Sequence, residues 1–255
     1  MPPRERTGTT WLGLLLGGLM LSPGCATRGP NHIYLATATG PAIHDLGPSP
    51  VRIADAVKPG EQALGLAYDF NTDHLFVRIA PAQVIRVIER PSGKILREMP
   101  LPEAAHIHSP ADLAIRSSDR HLFVLNRDRH SATELTLFGA FVRRIDLSAF
   151  GGAISGLAYD QKNGRLLVLP LRSPARVGSV DADGNVTYYV TLAAAVRPVS
   201  LGYDSDARHY FVPLADGHSL GEFDATGSLL AIHQTDSAEA ITAIDAGPRA
   251  LVRVF

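Results

Sequence analysis

Histidine and aspartate side chains that can bind a metal ion stand on two predicted loops. His106 and His108 lie two residues apart in the loop 102–110, so both imidazoles would share one face of an extended segment. Together with Asp216 or His218 they could make a three-ligand site with an open coordination position. The same spacing also describes two exposed loop histidines. A divalent metal is therefore one of two open interpretations, and no other cofactor is expected.

Arginines form a second candidate set, on loops that would meet around one end of the molecule. The set consists of Arg78, Arg127, Arg172 and Arg197. Guanidinium groups that converge on one point would suit a carboxylate, phosphate or sulfated-sugar ligand. The competing interpretation is that each of them is a solvated loop arginine.

Common motifs for catalysis or nucleotide binding are missing from the sequence. There is no Gly-x-Ser-x-Gly, no phosphate-binding glycine loop, no zincin helix and no cysteine–histidine pair. The formal net charge is −1 and no basic tract occurs, so nucleic acid is not an expected partner. These observations favour a binding protein over an enzyme.

The only cysteine, Cys25, ends a segment with targeting character. Arg4 and Arg6 precede an apolar run over 11–21, which is shorter than the roughly 20 residues of a membrane span. The sequence LSPGC that follows resembles the signal of bacterial lipoproteins, although these usually carry Leu where Ser22 stands. That departure leaves cleavage by an ordinary signal peptidase open.

This resemblance implies cleavage before Cys25 and acylation of its thiol, palmitate being one acyl group of this kind. It divides the chain into a signal peptide over 1–24, a lipidated cysteine with a tether over 25–31, and one domain over 32–255. Acyl chains would hold the protein to a membrane without a spanning helix. Ala26 stands where Asp would signal inner-membrane retention. The expected location is thus the bacterial cell envelope, at the outer membrane and facing the periplasm.

A repeated sequence unit must position the candidate side chains. It reads GLAYDFNTDHLFV from Gly65 to Val77 and joins two apolar runs through a polar turn, which is typical of a β-hairpin. Further copies occupy 112–124, 156–168 and 200–212, and a last copy occupies 240–255. The residues before each turn are Tyr68, Ile115, Tyr159, Tyr203 and Ile244, which subtraction places 47, 44, 44 and 41 residues apart. A repeat of this length with four strands predicts the blades of an all-β propeller.

The units GLAYD…G…LLV and DADGNV resemble those of NHL and YVTN-type β-propellers, and more loosely those of the regucalcin and gluconolactonase group. In the lactonase group a central metal is held by Glu, Asn and Asp side chains. Only Asn126 lies near the right end of a strand here, so the resemblance does not carry lactonase activity over.

Strands from both ends of the chain are expected to share one blade. The last copy would supply two strands, and the remaining two would come from 32–37 and from 42–46 or 51–57. This arrangement closes the ring without exposed edges and gives five blades. Six blades result if 32–57 instead forms a blade of its own.

Loops that enter the first strand of a blade and leave its second strand lie on one rim of the channel. Binding residues concentrate on such loops, so this rim is the expected functional surface. We expect a membrane-anchored extracytoplasmic propeller that binds a protein or a small anionic ligand there. The alternative is a metal-dependent, lactonase-like or lyase-like enzyme with its site at the central channel.

Overall fold

Five four-stranded antiparallel sheets form a five-bladed β-propeller in the computed structural model, which describes residues 28–47, 51–235 and 237–250. The all-β fold and the blade count of five are confirmed. Helical structure in these residues is limited to two short 3-10 turns, Glu103–Ala105 and Ser148–Phe150. Neither turn, nor any other described segment, is a helix long and apolar enough to cross a bilayer.

The strands follow the chain from blade to blade. In order they are β1 (Arg28–Thr37), β2 (Ile43–Asp45), β3 (Val51–Ile53), β4 (Gln62–Asp69), β5 (His74–Ala80), β6 (Val84–Glu89), β7 (Lys94–Pro100), β8 (Leu113–Arg116), β9 (His121–Leu125), β10 (Ser131–Thr136), β11 (Phe141–Asp146), β12 (Ile154–Asp160), β13 (Arg165–Pro170), β14 (Arg176–Val180), β15 (Val186–Thr191), β16 (Gly202–Asp204), β17 (His209–Pro213), β18 (Ser219–Phe223), β19 (Leu229–Gln234) and β20 (Ile241–Ala250). Blades 1 to 4 are β4–β7, β8–β11, β12–β15 and β16–β19, and blade 5 has the order β20-β1-β2-β3. The first strands β4, β8, β12, β16 and β20 contact one another around the axis.

The predicted hairpins of blades 1, 3 and 4 form because an aspartate at the end of the first strand caps the turn. The Asp69 carboxylate accepts hydrogen bonds from the Asn71 amide at 3.2 Å and the Thr72 hydroxyl at 2.7 Å. Asp160 repeats this pattern with the amides of Lys162 and Asn163, at 3.0 and 3.1 Å. Such local bonds satisfy backbone groups that the strands leave unpaired. The turn chemistry of these three blades therefore lies within their own sequence copies.

Blade 5 contains strands from both ends of the chain, as predicted, but in a different proportion. The C-terminal copy supplies one described strand, β20, and the N-terminal stretch supplies three. No polar turn interrupts β20, which pairs with β1 from Ile241 to Ala250. β1 begins at Arg28, inside the segment expected to be a tether. Cys25 and the predicted signal peptide lie outside the described residues.

The hydrophobic core lies mainly between neighbouring blades. Tyr159, 9% exposed, stacks on Phe123 of the preceding blade with ring centroids 5.4 Å apart and an interplanar angle of 4°. The Arg116 guanidinium covers the same tyrosine ring at 5.7 Å. Tyr159 thus packs at the junction of blades 2 and 3.

Replacing Tyr159 by alanine should lower the free energy of unfolding by roughly 3–5 kcal/mol, because a large aromatic ring is lost from a packed junction. Arg127→Ala and Arg172→Ala, at exposed positions, should each change it by no more than about 0.5 kcal/mol. Denaturant titration of the three variants measures these differences. A Tyr159→Ala protein as stable as the wild type would contradict the packing described here.

Candidate functional site

Two rims surround the central axis. The loop-side rim carries the loops that enter the first strands and leave the second strands. The turn-side rim carries the turns between first and second strands, such as 69–74 in blade 1. The predicted site residues belong to the loop side, whereas a cavity opens along the axis on the turn side.

The carboxylate of Asp112 lies in the axis and joins the inner strands of several blades. It accepts hydrogen bonds from three backbone amides and one hydroxyl: Leu66 (3.3 Å), Leu157 (3.3 Å), Leu201 (2.9 Å) and Ser200 Oγ (2.8 Å). The Ser200 hydroxyl also accepts the Ile244 amide of blade 5 at 2.8 Å. Since one carboxylate reaches blades 1, 3 and 4 at this level, the channel is blocked there.

Burial raises the pKa of Asp112 well above its usual value. Hydrogen bonds from the Leu201 amide and the Ser200 hydroxyl oppose this shift, and the nearby Asp245 adds to it. The axis therefore contains two acids that influence each other electrostatically.

Asp245 forms the second acidic level, closer to the turn side. Its Oδ2 accepts the Tyr68 amide of blade 1 at 2.6 Å, and its Oδ1 accepts the Ala246 amide at 2.8 Å. Its side chain keeps some contact with solvent. Burial raises the pKa of Asp245 to about 7, although the two amide hydrogen bonds act in the opposite direction. Its charge therefore changes near neutral pH.

Both acids occupy positions where the other blades carry small residues. Ile244 donates its amide into the axis at the level of Leu66 and Leu157, so the counterpart of Tyr68 is Ala246 and not Ile244. Asp245 then replaces the small residues Ala67, Ala114, Ala158 and Gly202. A Cβ on Gly202 would lie 3.0 Å from Ile244 Cγ2 and 3.3 Å from the carbonyl carbon of Asp245. Inner strands are thus too close here for most side chains.

We name the cavity above Asp245 the axial funnel. All five blades line it: blades 1 to 4 with the residue before their turn, Tyr68, Ile115, Tyr159 and Tyr203, and blade 5 with the equivalent residue Ala246. It contains about 30 Å³ in which a water-sized group can be centred. This is room for one or two small groups rather than a large ligand.

Polar side chains fix the blades to one another around the funnel. The Gln161 side chain donates to the Ile115 carbonyl at 2.6 Å and accepts the Ser117 amide at 3.0 Å. The Ser205 hydroxyl accepts the Gln161 amide at 2.9 Å. Asn71 donates to the Ser117 carbonyl at 2.9 Å. The funnel is therefore a preformed cavity on a rigid frame.

The four predicted arginines are not equivalent. Arg78 lies in β5 and not in a loop; it is fully buried, and its guanidinium donates to the carbonyls of Ala105, Ala111 (3.1 Å) and Leu125 (2.9 Å). Burial and the nearby charge of Arg129 lower the pKa of Arg78 to about 9. Arg78 therefore joins blades 1 and 2 and is closed to solvent.

The other three arginines lie on the loop-side rim, as predicted. Arg127 and Arg172 are exposed, and Arg197 is half-buried with a weak hydrogen bond of 3.5 Å to the Ile241 carbonyl. Their ability to bind an anion stays a prediction.

The predicted metal ligands do not come together. A 3-10 turn at 103–105 precedes His106, whose own backbone is extended, and the His106 ring contacts the Leu101 carbonyl at 3.0 Å. The Asp216 carboxylate instead caps its own turn through the amides of His218 and Ser219, both at 2.9 Å. Among the described residues, these side chains form no group of three close enough for one ion.

One other group, Asp119, His121 and Glu134, has the spacing of a metal site within the described part of the chain. A guanidinium nitrogen of Arg116 lies 2.7 Å from Asp119 Oδ2 and 3.0 Å from His121 Nδ1, and it also contacts Glu134. Arg143 binds the second oxygen of Glu134 at 2.6 Å. These donors fill the acceptor positions that a cation would need, so the group is an ion-pair network.

Histidine–carboxylate pairs recur at matching positions of three blades. Besides His121 and Glu134, His209 contacts Glu222 at 2.7 Å and His32 contacts Asp45 at 2.6 Å. The recurrence across blades favours a structural role for these histidines.

No protein-family model matches the sequence, and no curated protein matches it significantly. Several solved structures share its fold. A chain of a nidogen–laminin complex is 13% identical with a TM-score of 0.62, covering 88% of this chain and 100% of that one. Glutaminyl cyclase of Myxococcus xanthus is 18% identical with a TM-score of 0.51, covering 67% and 69%. Virginiamycin B lyase of Staphylococcus aureus is 18% identical with a TM-score of 0.45, covering 69% and 56%. The first two likenesses support the propeller fold alone.

The raised pKa of Asp245 predicts how stability depends on pH. Because the folded state holds the proton more tightly than the unfolded chain, this stabilisation is fully present below about pH 4 and is lost as the pH rises towards 7. A shift from 3.8 to about 7 corresponds to about 4 kcal/mol. Asp245→Asn should therefore become more stable than the wild type as the pH rises from 4 to 8.

Unfolding titrations at several pH values measure this difference, with Asp183→Asn at an exposed turn as the control. A difference between Asp245→Asn and the wild type that stays constant with pH would show that Asp245 is not a desolvated acid.

Proposed function

We propose that this protein is a binding module held at a membrane of the cell envelope by a lipid on Cys25, and that it recognises its ligand at the axial funnel. The observation that carries the binding role is the funnel itself. It is a preformed concave site to which every blade contributes a residue, and such sites are the usual places of ligand recognition. The anchoring role rests on the sequence around Cys25.

The side chains on the central axis favour ligand binding over catalysis. Both axial acids already accept backbone amides, and the space above Asp245 suits one small group. A nucleophile and base in hydrogen-bond contact would be the mark of acyl or glycosyl transfer. Tyr68, the tyrosine that contacts Asp245 through its amide, directs its hydroxyl away to Asp73 at 2.9 Å. The funnel thus presents an acceptor at its floor and aromatic walls.

An anionic ligand on the loop-side rim is the second candidate. The exposed guanidinium groups of Arg127 and Arg172 favour it. Arg197 belongs to the same predicted set. The burial of Arg78 at the junction of blades 1 and 2 weakens this second candidate. The two candidates occupy opposite rims, so they can be separated by position.

Cys25→Ser should move the protein from the membrane fraction to the soluble fraction without changing its circular dichroism spectrum, because only the acyl attachment is lost. The intact mass of the membrane-bound wild type should include the acyl groups. A wild type without acyl mass, or a variant that stays in the membrane fraction, would contradict the anchor.

A photocrosslinker placed on the funnel should form adducts that one on the opposite rim does not. Cys25 is the only cysteine, so Asp206→Cys and Arg172→Cys each add one attachment point in the acylated protein. Asp206 lines the funnel, and Arg172 is an exposed residue of the loop side. After irradiation of intact cells, mass analysis should find adducts from position 206. Adducts from position 172 alone would favour the anionic ligand on the loop-side rim.

A further inference from the structure

The anchor position and the funnel lie on the same rim. β1 starts on the turn side, because Arg28 pairs with Ala250 and Asn31 pairs with Pro248, a residue of the funnel wall. Cys25 precedes Arg28 by three residues, a stretch that spans at most about 11 Å. An acyl chain on Cys25 would therefore hold the turn-side rim against the bilayer surface.

Basic residues lie at the edge of this rim, and an acidic residue lies at its centre. Arg120, Lys162 and Arg208 are exposed at the turns of blades 2, 3 and 4, beside the exposed acids Asp119, which pairs with Arg116, and Asp206, which lines the funnel. Asp245 lies at the axis, and none of the described residues that line the funnel is a lysine or an arginine. Phospholipid head groups such as phosphatidylethanolamine have the complementary pattern, with a phosphate and a protonated amine a few bonds apart.

The small volume of the funnel favours a primary ammonium over a choline group. An ammonium group has one heavy atom and three N–H donors, so it fits about 30 Å³ and can donate to a carboxylate. A choline nitrogen is surrounded by carbon and has no N–H. The ring of Tyr203 in the funnel wall adds a favourable surface for a cation.

We propose that the turn-side rim rests on the membrane and binds phospholipids that carry a primary ammonium. Asp245 accepts the ammonium in the funnel, and Arg120, Lys162 and Arg208 contact lipid phosphates around it. This inference rests on the proposed function for its anchor and names the ligand of that same site.

Binding should depend on pH through Asp245. The titratable residues that line the funnel with it are Tyr68 from β4, Tyr159 from β12, Tyr203 from β16 and Asp206, and the carboxylate of Asp112 lies close enough to interact with it. Burial raises the pKa of Asp245 to about 7, so the carboxylate is ionised at pH 8 and protonated at pH 5.5. The preference for a primary ammonium should therefore be present at pH 8 and weak at pH 5.5.

The test is calorimetric titration of the full chain in non-ionic detergent with dihexanoyl phosphatidylethanolamine and dihexanoyl phosphatidylcholine. At pH 8 the ethanolamine lipid should bind about tenfold more tightly, the factor expected for one charge-assisted hydrogen bond. Asp245→Asn should abolish this preference. The triple variant Arg120→Gln, Lys162→Gln, Arg208→Gln should bind both lipids more weakly. The matched control Lys58→Gln, Arg144→Gln, at exposed positions outside both candidate sites, should behave as the wild type.

Equal affinity for the two lipids, or a preference that survives in Asp245→Asn, would overturn the proposal. Tighter Asp245-dependent binding of Nα-acetyl-lysine methylamide than of the ethanolamine lipid would assign the funnel to a basic peptide instead. Free ethanolamine that binds as tightly as the lipid would assign it to a soluble amine. The titration needs no acyl chain, so its failure is distinct from a failure of the Cys25→Ser fractionation.

Discussion

A single buried carboxylate, that of Asp112, ties the inner strands of the ring together. Each inner strand is the edge of its sheet, and its amides on the axial side have no partner strand. Asp112 accepts such amides from blades 1, 3 and 4, and Ser200 extends the network to blade 5. A buried amide without a partner would cost about 1–3 kcal/mol, so one side chain removes several costs at once. Burial disfavours the charged form of Asp112, whereas the amide hydrogen bonds favour it. The closed ring imposes both, because it buries the carboxylate and brings the amides of several blades to it.

The blade pattern could be predicted from the sequence because its causes are local. Asp69 and Asp160 cap turns within their own copies, and the apolar runs on either side identify the strands. The register of the last copy could not be found in this way, since β20 lacks a polar turn and its partner β1 lies at the other end of the chain. Asp245 stands out only in the observed register, as an acid where the other four copies have alanine or glycine.

The candidate site was harder to predict because its residues come from different copies. Nothing within one repeat indicates that Asp112 and Asp245 share an axis, and nothing near Arg78 indicates that carbonyls of the next blade surround it. The metal set proposed around His106 and His108 also depended on residues from distant loops, and the His106 ring contacts the Leu101 carbonyl while the Asp216 carboxylate caps its own turn. Residue type alone located polar loops correctly but did not show which of them face a cavity.

Blade 5 combines strands from both ends of the chain, and this determines when the funnel can form during synthesis. Asp245 belongs to the last described strand, and that strand completes the ring by pairing with the first one. Pairing over such a long sequence separation is an inherently slow step in folding. A chain still emerging from the ribosome or a translocation channel therefore has neither a closed ring nor the acid at its axis. The pairing of β20 with β1 therefore closes the ring and completes the funnel in the same step.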